Sequence, residues 1–567
     1  MNYNKYIKYI PHLAITLIAL SAGLILYFIL RYGIDVPYMD QWEYVHFFSH
    51  AAKGTLTFNE LFALQCEYRQ LFPNLIFVGL GWLTHWNVKY EMLVIFLLAC
   101  ITSFNVYRLA LHTLNVKPWL LWVLLFVANL FIFSPIQYEN WLFGVQIQYL
   151  MPIACISSCM LIAFSKIKPT LKLLFCILLS VISSYSAVNG MICWFVVFPV
   201  LFFSGNSAHC FKRWPFVLSW CAATLLTITF YFIDYQSPKN FPSPFEFLNQ
   251  PKEAIRYFFG ILGNPVRIVH SLEHIIKVGG VLFGLFCLLC LYIVRYLKNK
   301  ELFMNAIVWL MIAFYSLITS AMITTGRLGF GVYQSLTSRY TSYTLYLAVA
   351  VVFLFALVLK HMAQKYRFKL LHKSLISIII ICVIYIKVDT YPMAVTDLKN
   401  FSNNMLHGKA GLMFINYFPH EHCEVKNYLV HFDELKVKAN ILDNLGFLRP
   451  PLVKSNNIGL LESEESGDAD YGSFDYIKKL DDSTYIAAGT SHLQDTSKPA
   501  HAVILTFNDK NDNPIFFSLY NGHNIKWEKT FNTSTLSSGI HLMRAWAYDA
   551  RKGKVYKLKG SYLIRAV

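Results

Sequence analysis

Long apolar runs fill the chain up to about residue 390 and are separated by short polar segments. A helix needs about 20 apolar residues to cross the hydrocarbon core of a bilayer. Eleven runs meet or approach this length: residues 11–30, 90–111, 118–135, 141–164, 170–187, 189–204, 215–234, 277–295, 303–324, 341–359 and 374–391. The pattern predicts a multi-spanning α-helical membrane protein of about 11 transmembrane helices, with residues 1–391 as one transmembrane domain.

The charge of the loops decides how a shorter run, residues 71–86, is placed. If this run lies along the membrane surface, the Lys- and Arg-rich loops all fall on the side of the amino terminus, as the positive-inside rule requires. If it crossed the membrane, the same loops would lie outside. We therefore predict an interfacial helix at 71–86, a cytoplasmic amino terminus, and outward-facing segments at 32–89, 136–140, 188, 235–276, 325–340 and after 391.

The region after residue 391 differs from the spans because its apolar density falls. Residues 392–481 contain a short predicted helix at 433–446 and a polar, acidic stretch, which indicates an extracytoplasmic connecting region. From residue 482, short runs rich in β-branched and aromatic residues recur between turn signals. We predict an antiparallel β-sandwich at 482–567, on the outer side of the membrane.

Composition supports a membrane protein and argues against binding to nucleic acid. Hydrophobic residues make up 56% of the chain, charged residues 14%, and the mean hydropathy is +0.45. The formal net charge of +17 sits mostly in short loops between apolar runs, which is typical of a multi-pass membrane protein. Most of the 12 Cys lie in apolar runs without metal-ligand spacing, so no metal site is predicted.

The first outward loop holds the strongest candidate for catalysis. Asp40 follows the first span beside Trp42, and charge near a bilayer is costly and usually kept for function. A carboxylate in such a partly apolar place can hold a pKa suited to general-base work. We assign Asp40 that role and treat Asp35 and Glu43 as solvated loop residues. Trp42 and, further along the loop, Glu67 and Arg69 are predicted to bind substrate.

A second candidate group lies in the outward turn at 136–140. Glu139 and Asn140 stand in this turn, and Gln146 follows seven residues after Glu139, about two helical turns further on. Polar side chains at the outer ends of spans either bind a ligand or bridge neighbouring helices. We predict a catalytic role for Glu139 and substrate binding for Asn140 and Gln146, with helix bridging as the alternative for Gln146 and the nearby Gln148.

A third group breaks the positive-inside rule. Arg327 and Arg339 lie in the outward segment 326–340, whereas the other short outward loops lack arginine. The guanidinium fork suits phosphate because it donates two parallel charge-assisted hydrogen bonds. We predict that Arg327, Arg339 and the adjacent Tyr340 bind a phosphate-bearing substrate. The alternative is that the arginines contact lipid headgroups or pair with a nearby acid.

The strings at residues 38–42, 67–73, 137–141 and 338–340, in this order, resemble the GT-C superfamily of bacterial integral-membrane glycosyltransferases that use polyprenyl-phosphate sugars. The size and layout are similar to those of O-antigen glucosyltransferases. The shared features are an acid soon after the first span, a second acid after a later outward-going span, and a soluble extracytoplasmic tail. One departure is Gln41, where some relatives carry a second acid beside the first.

The resemblance implies an inverting transfer from a polyprenyl-phosphate sugar to a glycan acceptor such as O-antigen or lipopolysaccharide. Asp40 would take the proton from the acceptor hydroxyl, and Glu139 would orient the acceptor or assist Asp40. Arg327 and Arg339 would hold the charge of the leaving phosphate. The resemblance requires no cofactor: a divalent metal is compatible with the reaction, but a monophosphate leaving group does not need one. In a Gram-negative bacterium the chain would be a multi-pass inner-membrane protein whose C-terminal domain is periplasmic.

Other classes of protein share parts of this pattern. An O-antigen polymerase or ligase would place its key arginines in a large outward loop, here Arg256 and Arg267 of loop 235–276. A lipid-linked sugar transporter would carry ionisable residues at mid-membrane depth, and the predicted spans carry almost none. A sensor with an outward ligand-binding domain would not need eleven spans. A disulfide between Cys66 and Cys423, both on the outer side, stays an open prediction.

Overall fold

The structure is a computed structural model that describes residues 9–65, 68–204, 214–236, 242–267, 271–366, 369–418, 431–463, 470–493, 498–508, 514–520, 524–534 and 536–566. Of residues 204, 366 and 369–382 only the backbone is described. Both cysteines of the suggested disulfide, Cys66 and Cys423, lie outside the described residues, so that pairing stays a prediction.

Among the described helices, eight are long and apolar enough to cross a membrane: Ile10–Tyr32, Lys89–Thr113, Pro118–Leu142, Gly144–Phe164, Trp214–Phe232, Leu272–Arg295, Lys300–Phe330 and Ser338–Lys365. Each overlaps one of the predicted spans. Because apolar helices of this length suit a bilayer, the prediction of a helical protein embedded in a membrane is confirmed at this level.

The remaining predicted spans fall on shorter or partly described helices. Residues 170–187 and 189–204 correspond to the apolar helices Pro169–Ser184 and Val188–Phe203, and the predicted interfacial segment corresponds to Leu71–Thr84. Predicted span 374–391 lies in the long helix Lys369–Met413, of which residues 369–382 are described by their backbone alone. The count of eleven spans and the surface position of residues 71–86 therefore stay predictions.

The chain divides into two compact units whose boundaries differ from the predicted domains. The transmembrane unit comprises the chain up to Gly33, Thr57–Gly79 and Lys89–Lys399, and the C-terminal unit comprises Ile34–Leu56, Leu80–Val88 and the chain from Asn400. The predicted boundary at 391/392 falls inside the helix Lys369–Met413, which continues through Pro392. Much of the first outward loop thus groups with the C-terminal unit.

Contacts within the C-terminal unit explain this grouping. The rings of Phe48 and Phe447 pack edge to face with their centroids 5.3 Å apart. The buried Lys409 ammonium donates hydrogen bonds to the main-chain oxygens of Asp35, at 2.8 Å, and Arg449, at 2.5 Å. Residues about 400 positions apart in the chain therefore share one core. The predicted helix at 433–446 is present as Phe432–Asn444.

In the transmembrane unit, the helix Pro251–Gly263 of loop 235–276 packs closely on the helix Leu272–Arg295. A Cβ added to Gly263 would lie 2.0 Å from the Ile275 oxygen, and one added to Gly279 would lie 1.9 Å from the Phe259 oxygen. The two backbones are therefore in direct contact, which only glycine allows, as at small-residue interfaces between membrane helices.

The described end of the C-terminal unit consists of antiparallel strands. After the short strands β1 Leu64–Gln65 and β2 Tyr68–Arg69 of the transmembrane unit, these strands are β3 Gly472–Lys479, β4 Thr484–Leu493, β5 Lys498–Pro499, β6 Ala502–Asn508, β7 Pro514–Tyr520, β8 Lys526–Asn532, β9 Gly539–Asp549, β10 Lys554–Lys557 and β11 Tyr562–Ala566. One sheet has the order β10–β9–β6–β7 with β11 also on β9, and the other joins β3–β4–β5 with β8 also on β4. Both sheets contribute to one apolar core, which includes Trp527, Phe474, Leu505 and Met543.

A C-terminal β region is thus confirmed, while its classification as a sandwich stays a prediction. The first strand, β3, begins ten residues before the predicted start at 482 and lies inside the predicted connecting region. The sequence gives little signal for this strand, because most of its residues are polar or exposed and mainly Phe474 contributes to the core. The exposed residues are Asp475, Tyr476, Lys478 and Lys479. In the transmembrane unit, β1 Leu64–Gln65 and β2 Tyr68–Arg69 form a short antiparallel pair.

The glycine contact between the two helices yields a stability prediction. We expect Gly279→Ala to lower the Tm of the purified protein in detergent, because the new methyl group would force the two backbones apart. Gly284→Ala in the same helix is the matched control, since nothing lies within 4 Å of a Cβ at that position. Equal Tm values for the two variants would contradict the close backbone contact.

Candidate functional site

Two of the strings chosen from the sequence, residues 137–141 and 338–340, meet at helix ends in the transmembrane unit. The Glu139 carboxylate accepts a hydrogen bond from the Arg339 main-chain N–H at 2.9 Å. The Ser338 hydroxyl accepts one from the Glu139 N–H at 3.2 Å and donates one to the Ile136 oxygen at 3.0 Å. The predicted acid and the predicted arginine are therefore neighbours, although 200 residues separate them.

Buried amides complete this junction. The fully buried Asn140 donates from Nδ2 to the Arg339 main-chain oxygen at 3.0 Å and to the Ser342 hydroxyl, which in turn donates to Gln137 Oε1. Polar groups buried at membrane-helix ends need such partners, because an unpaired one is costly. Asn140 and Glu139 thus fix the backbone turn that carries Arg339. Asn140 has a structural role here, and its predicted part in substrate binding stays a prediction.

A cavity of about 110 Å³ lies in the same unit, and its wall combines one guanidinium with five phenols. Arg327 and Tyr340, both predicted as site residues, contribute to it. The phenols belong to Tyr68, Tyr149, Tyr235, Tyr340 and Tyr343. Four of these five tyrosines were not predicted. Tyr68 stands next to Glu67, which itself lies outside the described residues.

The arginines of this site have aromatic neighbours. The Arg339 guanidinium lies 5.6 Å from the centroid of the Tyr340 ring, within the range of a cation–π contact. The fully buried Tyr257 donates its hydroxyl to Gln334 Oε1 at 3.2 Å. Burial and the neighbouring Tyr340 raise the pKa of Tyr257, while Arg327 and Arg339 act in the opposite direction. Tyr257, which sequence reasoning missed, is therefore a neutral donor close to both arginines.

Arg69 has partners that explain it as a helix cap. Its Nε donates to the Tyr231 oxygen at 2.7 Å, its Nη1 donates to the Phe62 oxygen at 2.9 Å, and its Nη2 donates to the Ile233 oxygen. Tyr231 and Ile233 stand at the end of the helix Trp214–Phe232, where main-chain carbonyls lack intrahelical partners and a positive charge is favourable. These contacts give Arg69 a structural role, and its predicted part in substrate binding stays a prediction.

Gln146 is almost fully buried in the 3-10 turn Gly144–Gln146, close to the start of the helix Ile147–Phe164. Its Oε1 accepts no hydrogen bond from the part of the chain that the structure describes. The contacts therefore do not show Gln146 bridging two helices through this atom, and its predicted role in substrate binding remains untested.

Asp40 belongs to the C-terminal unit and lies in the 3-10 turn Met39–Tyr44. Trp42 is fully buried and Gln41 is 1% exposed, whereas Asp40 is exposed at the surface of its unit. The turn begins with Met39 at φ 44°, a left-handed conformation that a non-glycine residue seldom adopts. Backbone strain of this kind often accompanies a functional site.

Neighbours within the C-terminal unit hold this turn on both sides. The Tyr38 N–H donates to Gln41 Oε1 at 3.1 Å, and the Tyr38 ring packs edge to face on Phe401. Glu43 forms an ion pair of 2.9 Å with Lys438. Burial opposes the charge of Lys438, but bonds to Glu434 and Glu43 keep its pKa above the ordinary value. Glu43, expected to be merely solvated, therefore anchors the turn.

The fold is that of a helical membrane-embedded protein with a C-terminal β region and a tyrosine-lined, arginine-bearing cavity. Within the described ranges, no group of three His, Cys, Asp or Glu side chains is placed to hold a metal ion. No family model, curated protein or solved structure matches the chain.

The contacts of Arg69 predict a loss of stability when it is replaced. Arg69→Gln removes hydrogen bonds from a charged donor to three main-chain oxygens, and we expect a loss of about 3 kcal/mol in the free energy of unfolding. Thermal unfolding in detergent measures it, with the exposed Arg108→Gln as the control. A variant that unfolds like the wild type but loses substrate affinity would instead support the predicted binding role.

Proposed function

We propose that this chain is a glycosyltransferase that moves a sugar from a polyprenyl-phosphate donor to a surface glycan such as O-antigen. The observation that carries the proposal is the cavity in which Arg327 stands among tyrosines in the transmembrane unit. The proposal includes the finer architecture predicted from the sequence: eleven spans, a C-terminal β-sandwich and, in a bacterial inner membrane, a periplasmic C-terminal unit.

The cavity chemistry suits the head of such a donor. The donor joins an anionic phosphate to a hydroxyl-rich sugar, while its polyprenyl tail remains in the bilayer. Arg327 offers charge-assisted hydrogen bonds to the phosphate, and the tyrosines offer hydroxyl groups and ring faces to the sugar. A guanidinium in place before the reaction stabilises the negative charge that develops as the phosphate leaves.

Arg339 is the second phosphate ligand in this proposal. Its main chain is fixed by Glu139 through the N–H and by Asn140 through the oxygen, so the side chain starts from an ordered backbone. A positioned charge costs no reorganisation at the moment of reaction. We therefore propose that Glu139 and Asn140 contribute by positioning Arg339.

Asp40 is the general base in this proposal. The acceptor hydroxyl oxygen forms a bond to the anomeric carbon of the donor, and its proton passes to the Asp40 carboxylate. The bond between that carbon and the phosphate oxygen breaks, and its electrons leave with the polyprenyl phosphate. One base is enough because a single proton is released, and no electrons are exchanged with a redox partner. The strained, anchored turn that carries Asp40 supports this role. The partly apolar surroundings expected from the sequence do not, because Asp40 is exposed at the surface of its unit.

The polymerase or ligase alternative has less support. It would rely on Arg256 and Arg267, and both arginines are held in ion pairs. Arg256 bonds Glu253 at 3.0 Å and also Glu273, while Arg267 bonds Asp397 at 2.7 Å. A guanidinium group that is already bonded to carboxylates has fewer donors left for a phosphate.

The role of Asp40 is tested in a strain that lacks the gene. We expect Asp40→Asn to reduce transfer about 10²–10⁴-fold, because the amide cannot accept the proton. The mass of the surface glycan reports the outcome: one hexose-sized unit per repeat is lost and wild type restores it. Asp433→Asn, which changes an exposed carboxylate elsewhere in the same unit, is the control and should restore transfer. Full activity of Asp40→Asn would remove Asp40 from the mechanism.

The role of Arg327 is tested by donor kinetics with purified enzyme. We expect Arg327→Gln to raise the donor KM about 10- to 100-fold, the value of a charge-assisted hydrogen bond. Arg295→Gln, at the exposed end of another helix, is the control. An unchanged KM and kcat for Arg327→Gln would contradict phosphate binding in this cavity.

A further inference from the structure

One segment of the transmembrane unit, Gly326–Tyr340, contributes to two separate cavities. Its ends line the tyrosine-rich cavity through Gly326, Arg327 and Tyr340. Its middle lines a second, open cavity of about 380 Å³ through Val332 and Tyr333. The other polar residues of this second cavity are Glu253, Arg256, Ser271 and Glu273.

The second cavity has the opposite charge balance from the first. Arg256 Nη1 bonds both carboxylate oxygens of Glu253 at 3.0 Å, and its Nη2 bonds Glu273. Two carboxylates share one guanidinium, so these three side chains together carry a net negative charge. This charge repels a phosphate or an acidic sugar. Each carboxylate has about four acceptor positions, so acceptor capacity remains for hydroxyl donors.

The carboxylates alone do not mark a binding site. Glu253 and Glu273 each stand in the first turn of a helix, where a negative charge is favourable in any case. The observation that points to a ligand is the ring of Tyr333, which is 75% exposed at the edge of this concave surface. An exposed aromatic ring beside a cavity offers a flat apolar face to a ligand.

The backbone that carries Tyr333 is held in place by its neighbours. Gln334 accepts the hydrogen bond of the buried Tyr257 hydroxyl at 3.2 Å, and Val332 packs against the small core that contains Tyr257 and Leu328. The exposed ring therefore stands on an ordered segment, and little conformational entropy is lost when a ligand binds to it.

We propose that this second cavity binds uncharged sugar residues of the acceptor glycan. One sugar ring packs on the face of Tyr333, and its hydroxyl groups donate hydrogen bonds to Glu253 and Glu273. The role as acceptor subsite rests on the proposed function, whereas the recognition of an uncharged saccharide rests on the cavity itself. The segment Gly326–Tyr340 then serves both substrates, the donor phosphate through Arg327 and the acceptor through Tyr333.

The test measures binding without a donor. The probe is surface polysaccharide purified from a strain that lacks the gene, titrated into the full-length protein in lipid nanodiscs. We expect Tyr333→Ala to weaken binding about tenfold, the usual value of one aromatic contact. Tyr333→Phe keeps the ring and should bind as the wild type does. Phe330→Ala is the matched control, because Phe330 is 49% exposed in the same segment and does not line the cavity.

The outcomes separate this inference from its alternatives. Equal affinities of the wild type and Tyr333→Ala would overturn the subsite, and so would a wild type that does not bind the polysaccharide. An equal loss for Tyr333→Ala and Phe330→Ala would show that exposed rings of the segment act together, as headgroup anchors do, and would also overturn it. If the protein binds the polysaccharide through Tyr333 but transfers no sugar, the binding site for the saccharide is supported and the proposed glycosyltransferase function is contradicted.

Discussion

The structure depends on the rule that main-chain polar groups in a bilayer must be satisfied within the protein. Apolar helices meet the rule along their length, so irregular backbone is confined to helix ends. There the 3-10 turns Pro135–Gln137 and Ser338–Tyr340 are bonded to each other by buried side chains, among them Asn140 and Ser342. The same bonds that satisfy the backbone also bring Glu139 beside Arg339. Stability and the candidate chemistry of the transmembrane unit therefore share one set of contacts.

The elements that could be predicted from the sequence are those that depend on local composition. Apolar length alone locates the spans, and alternating β-branched and aromatic runs locate most of the strands. The grouping of residues 34–56 with the C-terminal unit could not be predicted, because it rests on contacts such as Phe48 with Phe447 and Glu43 with Lys438, which only the folded chain brings together. The strand β3 was missed for a related reason: its partners, and not its own polar residues, make it a strand.

The site was predictable only in part. Glu139, Arg327 and Arg339 stood out because charged residues are rare in this chain and these lie at the outer ends of predicted spans. Four of the five tyrosines of the cavity had no such signal, since the chain contains 35 Tyr and nothing local separates Tyr149 from the others. Arg69 shows a second limit of the sequence, because its bonds to main-chain oxygens at the end of a helix could not be predicted, while its part in substrate binding stays a prediction.

The surroundings of Gln41 explain why Asp40 has no acid next to it in the chain. Its side chain is 1% exposed, and its amide oxygen accepts the hydrogen bond of the Tyr38 N–H. A carboxylate at this position would be desolvated, and burial disfavours its charged form. The adjacent-acid arrangement of the resembling enzymes would therefore place a charge inside the C-terminal unit. With a monophosphate leaving group and arginines to balance it, the proposed transfer needs only the exposed carboxylate of Asp40.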